Sequence, residues 1–137
     1  MRLSSPVLSV AVCGAFAFAG CGSDSKKSSE SSEHNVSNAE AVKEIGAVRT
    51  GLDEAVQQLK GGDAKAAENT VAETYLQHFE LVEGPLGKVD HELNEGLEET
   101  INEELRQKIS SGAKPAEVQK LVNEVKADLD TAEAKLK

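Results

Sequence analysis

From Ala39 to Lys137 the apolar residues recur at helical spacing, in four blocks separated by short turn signals. The first predicted helix opens at Ser37 or Asn38, where Ser37-x-x-Glu40 has the form of a capping box. It runs through Val42, Ile45, Leu52, Val56 and Leu59 to Gly61-Gly62. The second is capped by Asp63 and carries Val71, Ala72, Tyr75, Leu76, Phe79 and Val82 until Gly84-Pro85 breaks it. The third follows Pro85 with Val89, Leu93, Leu97, Ile101, Leu105 and Ile109, a stripe at strict four-residue spacing that stops at Ser110-Ser111-Gly112. The fourth begins at Pro115, a residue suited to the first helical position, and uses Val118, Leu121, Val122, Val125, Leu129, Ala132 and Leu136. Nothing reads as a strand. Blocks of about 20 to 25 residues, each about 30 to 37 Å long, joined by short turns, predict an all-α domain over 39–137, an antiparallel up-down-up-down four-helix bundle.

The first 38 residues have a different pattern. Arg2 precedes a 13-residue apolar and small-residue run from Val7 to Ala19, the form of a signal peptide and too short to span a bilayer. Phe18-Ala19-Gly20-Cys21 resembles the lipobox of bacterial lipoproteins, with Phe18 in place of the usual aliphatic residue. The resemblance implies cleavage after residue 20 and lipidation of Cys21. The alternative is an ordinary A-x-A cleavage after Ala17-Phe18-Ala19, which would release a soluble chain with a lone reactive thiol near its start. Residues 21–38 hold Cys21 and a tether: seven of the 17 residues from Gly22 to Asn38 are serine, a composition that behaves as a random coil reaching about 20 to 25 Å. The chain therefore reads as an envelope protein, anchored through Cys21 on the extracytoplasmic (periplasmic) side of a bacterial membrane.

Composition narrows the chemistry. With 11 Leu, 9 Val, 3 Ile and one Phe between Ala39 and Lys137, the domain has enough apolar side chains to fold, and its core must be aliphatic and Ala-filled. Cys13 falls in the discarded segment, so no disulfide, Cys-based metal site or Cys nucleophile is available. No serine elbow or Gly-rich phosphate loop occurs either, and an enzyme is not expected. The domain carries the whole net charge of −9, which argues against nucleic acid as a partner. From Ala66 to Glu104 there are 11 acidic residues and a single base, Lys88.

Most of those carboxylates, Glu92, Glu95, Glu99 and Glu103 among them, are expected on solvated outer faces. Glu83 is different: at 100° per residue it falls inside the arc of Ala72, Tyr75, Leu76, Phe79 and Val82, with Glu73 and Glu80 at the arc's edge. The four-residue stripe of the third helix drifts by about 40° per step, which leaves Glu98 at the margin of the apolar face, one turn from Asn94. Carboxylates turned toward a shared seam need hydrogen bonds, a proton or a cation. Alternatively, Glu83 frays into solvent at a helix end. An oxygen-rich site suits hard cations such as calcium, manganese or ferric iron. A di-iron centre is disfavoured, because Tyr75 and Lys88 stand where Glu-x-x-His would need an acid before His78 and His91, and both histidines read as surface residues.

The run Tyr75-Leu76-Gln77-His78-Phe79-Glu80-Leu81-Val82-Glu83, followed by Leu97-Glu98 and by Ile109 and Gly112, resembles the helical extracytoplasmic domain of bacterial high-affinity iron permeases. That family's pattern is a tyrosine, then Phe-Glu-x-x-Glu, then a Leu- or Ile-Glu pair on the next helix. Its positions fall on Tyr75, Phe79, Glu80, Glu83 and Glu98. The resemblance spans roughly Val71 to Leu136 and implies iron as the ligand, Glu80, Glu83 and Glu98 as metal-handling acids, Tyr75 and Phe79 as supporting residues, and an iron permease or related uptake component as partner; Glu73, at the edge of the same arc, joins the candidate metal ligands by its helical position alone. The membrane-spanning permease portion and its Arg-Glu-x-x-Glu pattern are missing, so the expected role is that of a lipid-anchored accessory domain in iron or other hard-cation uptake. The competing expectation is a noncatalytic module whose acidic second and third helices dock a basic envelope partner.

Overall fold

The computed structural model describes residues 36–137. The signal peptide expected at 1–20, Cys21 and nearly all of the tether lie outside the described residues. Within them the chain is helical, with no strand. It comprises α1 (Asn38–Lys60), α2 (Ala64–Thr74), a π-helical segment (Tyr75–Phe79), α3 (Glu80–Val89), α4 (His91–Glu98), a second π-helical segment (Glu99–Glu104), α5 (Leu105–Ser110) and α6 (Pro115–Leu136). Thr74, Tyr75, Glu80, Glu98, Glu99 and Leu105, at the junctions, all keep right-handed helical backbone. α2 to α3 and α4 to α5 are thus two continuous rods, and with α1 and α6 they make four helices. None is long and apolar enough to cross a membrane.

The ends form where the side chains dictate. Ser37 Oγ accepts the Glu40 N–H while Glu40 reaches back to the Ser37 N–H, both at 3.3 Å, which completes the predicted capping box. Asp63 Oδ1 accepts the Ala66 N–H at 2.9 Å. The two inter-helix turns at Gly62 (φ +87°) and Gly112 (φ +80°) need left-handed backbone. In each, the N–H of the residue after the glycine bonds to the carbonyl five residues back, Asp63 to Gln58 and Ala113 to Lys108, at 3.0 Å.

The second helix does not break at Gly84-Pro85. It continues to Val89, with Pro85 buried inside it. A proline in a helix interior costs about 3 kcal/mol, and burial of Val82, Pro85 and Leu86 on one face offsets that cost here. The break falls at Asp90, whose extended backbone (φ −156°, ψ 91°) both ends α3 and caps α4, its Oδ1 accepting the Leu93 N–H at 3.1 Å. Asp90 also pairs with Lys135 of α6.

The core is aliphatic and Ala-filled, with Tyr75 and Phe79 as its aromatics, 5.8 Å apart between ring centroids. α1 contributes Ala41, Ile45, Val48, Leu52, Ala55, Val56 and Leu59, and α6 contributes Val118 to Leu136 at matching helical intervals. The four-residue stripe Leu97, Ile101, Leu105, Ile109 is buried throughout. On a regular α-helix such a stripe would rotate off the core, but the π segment at Glu99–Glu104 closes i→i+5 turns and takes up the excess rotation. The π segment at Tyr75–Phe79 does the same for Val71, Tyr75 and Phe79, and turns Leu76 outward to 59% exposure. Val89, expected in the third helix's stripe, sits instead at the end of α3 and is 49% exposed.

Contacts between α1 and α6 pair their opposite ends. Asn38 Nδ2 donates to the Leu136 carbonyl at 3.2 Å and Lys60 Nζ to Gln119 Oε1 at 3.0 Å. Between them Arg49 bridges Asp130 and Glu133, and Lys126 meets Asp53. As surface ion pairs these add little stability individually, about 0–1 kcal/mol, but they fix which faces meet.

Candidate functional site

Tyr75 and Glu83 are eight residues apart, slightly more than two regular turns, and the intervening π segment brings them onto the same face. Tyr75, 8% exposed, donates its hydroxyl to Glu83 Oε1 at 2.8 Å. From the next rod, Glu98 Oε1 stands 3.4 Å from the same hydroxyl. Two carboxylates from two different helical rods are therefore gathered on one phenol. With legs of 2.8 and 3.4 Å their oxygens are within about 6 Å of each other, where two full negative charges repel by about 2–3 kcal/mol at an effective dielectric of about 20, less where water reaches them.

The electrostatics follow. Burial pushes the Glu83 carboxyl above its ordinary range, and the charges of Glu98 and Glu80 push it further, while the Tyr75 hydrogen bond acts in the opposite direction. The Tyr75 phenol is raised as well, first by burial, then by its bond to Glu83 and by the charges of Glu83, Glu98 and Glu80. No lysine, arginine or histidine is among the groups acting on either side chain. The cluster thus concentrates negative charge against an aliphatic core, and among the described residues no cation acts on Tyr75 or Glu83 to offset it.

No family model, curated protein or solved structure matches this chain.

The expected metal-handling acids separate into two places. Glu83 and Glu98 meet at Tyr75. Glu80 is exposed but near enough for its charge to act on both Glu83 and Tyr75. Glu73 lies elsewhere: it lines an open groove of about 430 Å³ between α1 and α2, with Thr50, Gly51, Thr70 and Thr74. Phe79 is fully buried beneath Tyr75 and supports it through ring contact. Among the described residues no three His, Cys, Asp or Glu side chains stand together as a ready metal cage. The oxygen donors gathered at Tyr75 are two carboxylates and a phenol, a set that suits hard cations with water completing the shell.

Glu98 also lines a second open groove, of about 330 Å³, with Glu95, Glu99, Asn102 and Glu103. It therefore connects the half-buried cluster to a solvent-facing acidic surface. Glu92, Glu95, Glu99 and Glu103 are exposed, as the helical pattern predicts.

Two features lie outside the sequence-level site. His78 Nδ1 is 2.7 Å from Glu44 Oε2 on α1, a pair 34 residues apart that only helix packing could bring together. Asn94 is 8% exposed and, among the described residues, its Oδ1 has no hydrogen-bond partner. The signal for Asn94 was its position one turn before Glu98, on the same helical face. His91 is exposed beside Glu95 in the first turns of α4.

Proposed function

We propose that this chain is a lipid-anchored extracytoplasmic lipoprotein whose helical domain binds a hard cation between Glu83 and Glu98, and serves as a noncatalytic accessory in its uptake. The observation that carries the reading is the Tyr75 hydroxyl holding carboxylates from two rods, at 2.8 and 3.4 Å, with Glu83 raised by burial and by the neighbouring acids. A cation there replaces mutual repulsion with attraction, and burial strengthens both effects. Iron is the cation favoured by resemblance to the permease-associated domain, and an iron permease is the corresponding partner. The acidic groove reached through Glu98 gathers cations electrostatically and gives them a path to the cluster. Anchoring through Cys21 and a tether of about 20 to 25 Å keeps the domain near a membrane partner while leaving it free to pivot.

The helices are proposed to run up-down-up-down. The end-to-end pairing of Asn38 with Leu136 and of Lys60 with Gln119 supports opposite directions for α1 and α6. Short turns at Gly62, Asp90 and Gly112 favour the same for successive rods.

The same exposed acids, Glu95, Glu99 and Glu103, favour a second reading in which the α4 surface docks a basic envelope protein. Iron separates the two. At a free concentration of about 100 times Kd, a cation adds about 2.7 kcal/mol, or about 10–20 °C in the melting temperature of a domain this size. Ferrous or ferric iron should produce such a rise in the unmodified chain and in Glu103→Gln, but much less in Glu83→Gln. No rise, or an equal rise in all three, removes the cation site and leaves the docking surface as the better reading.

A further inference from the structure

Asn94 is more than nine-tenths buried, yet its side-chain oxygen has neither a protein partner nor contact with solvent. Buried amide oxygens are nearly always satisfied, so this oxygen is an acceptor left free for a further partner. Its location is specific. On α4 it precedes Glu98 by four residues, the spacing at which two side chains on one helix can share a metal ion. Across the seam its Nδ2 and Cγ lie 3.8 and 3.9 Å from where a Cβ on Gly87 would stand, and Gly87 follows Glu83 by four residues on α3. Asn94 therefore packs against α3 beside Gly87, with Nδ2 on the Gly87 side, one turn before Glu98 on its own helix and opposite a residue one turn after Glu83.

We propose that Asn94 Oδ1 is a further ligand of the cation held by Glu83 and Glu98. This rests on the cation-binding reading of those two acids and adds a neutral oxygen donor to them. The chemistry is that of hard cations, which combine carboxylates with amide carbonyl oxygens and water. An uncharged third donor completes coordination without adding to the repulsion between the acids.

Terbium(III) is a suitable probe because it is a hard, oxygen-seeking ion whose emission is sensitised by a nearby tyrosine. Tyr75 is the single tyrosine and the chain has no tryptophan, so sensitised emission reports only ions bound beside Tyr75. The decay rates in H2O and D2O count the waters remaining on the ion. In the full chain, Asn94→Leu should weaken terbium binding by about tenfold or more and raise the bound-water count by about one. Asn94→Asp, which keeps the shape, should bind terbium more tightly than the unmodified chain with no added water; this variant also decides the matter if Asn94→Leu fails to fold. Unchanged affinity and water count in Asn94→Leu, or no gain in Asn94→Asp, overturns the role of Asn94. If Glu83→Gln abolishes the emission in that case, the cation site itself stands. Absence of sensitised emission from the unmodified chain overturns both.

Discussion

Removing the hydroxyl that gathers the two acids is the sharpest local perturbation of the cluster. Tyr75→Phe keeps the ring in its core position against Phe79 and deletes only the group bonded to Glu83 at 2.8 Å. A hydrogen bond to a charged acceptor contributes about 1.5–3 kcal/mol, and a neutral one about 0.5–1.5. Because Glu83 is only partly buried, water can replace some of the loss, so about 1–2 kcal/mol is expected at neutral pH in the presence of chelator. For a domain of about 100 residues this lowers the melting temperature by about 4–16 °C. In a Glu83→Gln background the amide oxygen still accepts the bond without its charge, and Tyr75→Phe should then cost about half as much. Melting temperatures or urea midpoints of the four chains give the coupling directly. An equal cost in both backgrounds, or no cost in the native one, would refute the charge-assisted bond on which the site's geometry depends.

The remaining expectations concern packing, pH and anchoring. A Cβ at Gly51 would overlap Thr74 Oγ1 and stand 3.0 Å from its Cγ2, so Gly51→Ala should destabilise by about 1–2 kcal/mol despite its better helix propensity. Adding Thr74→Ala should recover most of that loss, whereas Gly46→Ala, with nothing within 4 Å, should stabilise by about 0.5–1 kcal/mol. Glu83 has a raised folded pKa, so its contribution to stability is present below the ordinary value of 4.5 and is lost as pH rises through the folded value. Asp90 is lowered by its bonds to the Leu93 N–H and Lys135, and Glu133 by Lys137 and Arg49. Their contributions are present at neutral pH and are lost on strong acidification. Metal-free protein should therefore gain stability as pH falls through the raised Glu83 value and lose it again in strong acid, where Asp90 and Glu133 take up protons, and Glu83→Gln should abolish the gain. Changing Cys21 to Ser should move the protein from the membrane to the soluble fraction, and persistence in the membrane with normal signal processing would exclude lipidation as the anchor.

Much of the fold is written in local chemistry. Ser37 with Glu40, Asp63, Gly62 and Gly112 mark helix ends because their side chains or backbone freedom satisfy the termini directly. The four-residue stripe from Leu97 to Ile109 stays on the core face because the wider π turn at Glu99–Glu104 rotates less per residue than an α-helix, whereas uniform steps of 100° predict that the stripe drifts off that face. Pro85 misleads because the usual local rule for proline is overridden by burial of its own face, whereas Asp90, a capping residue in a polar stretch, makes the actual break. Uniform steps of 100° place Leu76 in the core for the same reason that they miss the π segment at Tyr75–Phe79. At the site, Glu83 on the apolar arc and Glu98 at the margin were legible from helical geometry. Their convergence on the Tyr75 hydroxyl was not, because it depends on that π segment and on how two rods are offset. Glu73 shares an edge with Glu80 by rotation alone, and the actual packing assigns it to the groove against α1.

We propose that a hard cation binds at Glu83 and Glu98 beside the lone tyrosine. It is tested most directly by titrating the full metal-free chain with terbium(III) while exciting Tyr75. The unmodified protein should show saturable, one-site sensitised emission that ferric iron displaces. Glu83→Gln and Glu98→Gln should each weaken it by about tenfold or more, and Glu103→Gln should match the unmodified chain. Emission that never saturates, or that falls equally in all three variants, would mean that the cation is drawn to the acidic surface at large and that Tyr75, Glu83 and Glu98 form no site.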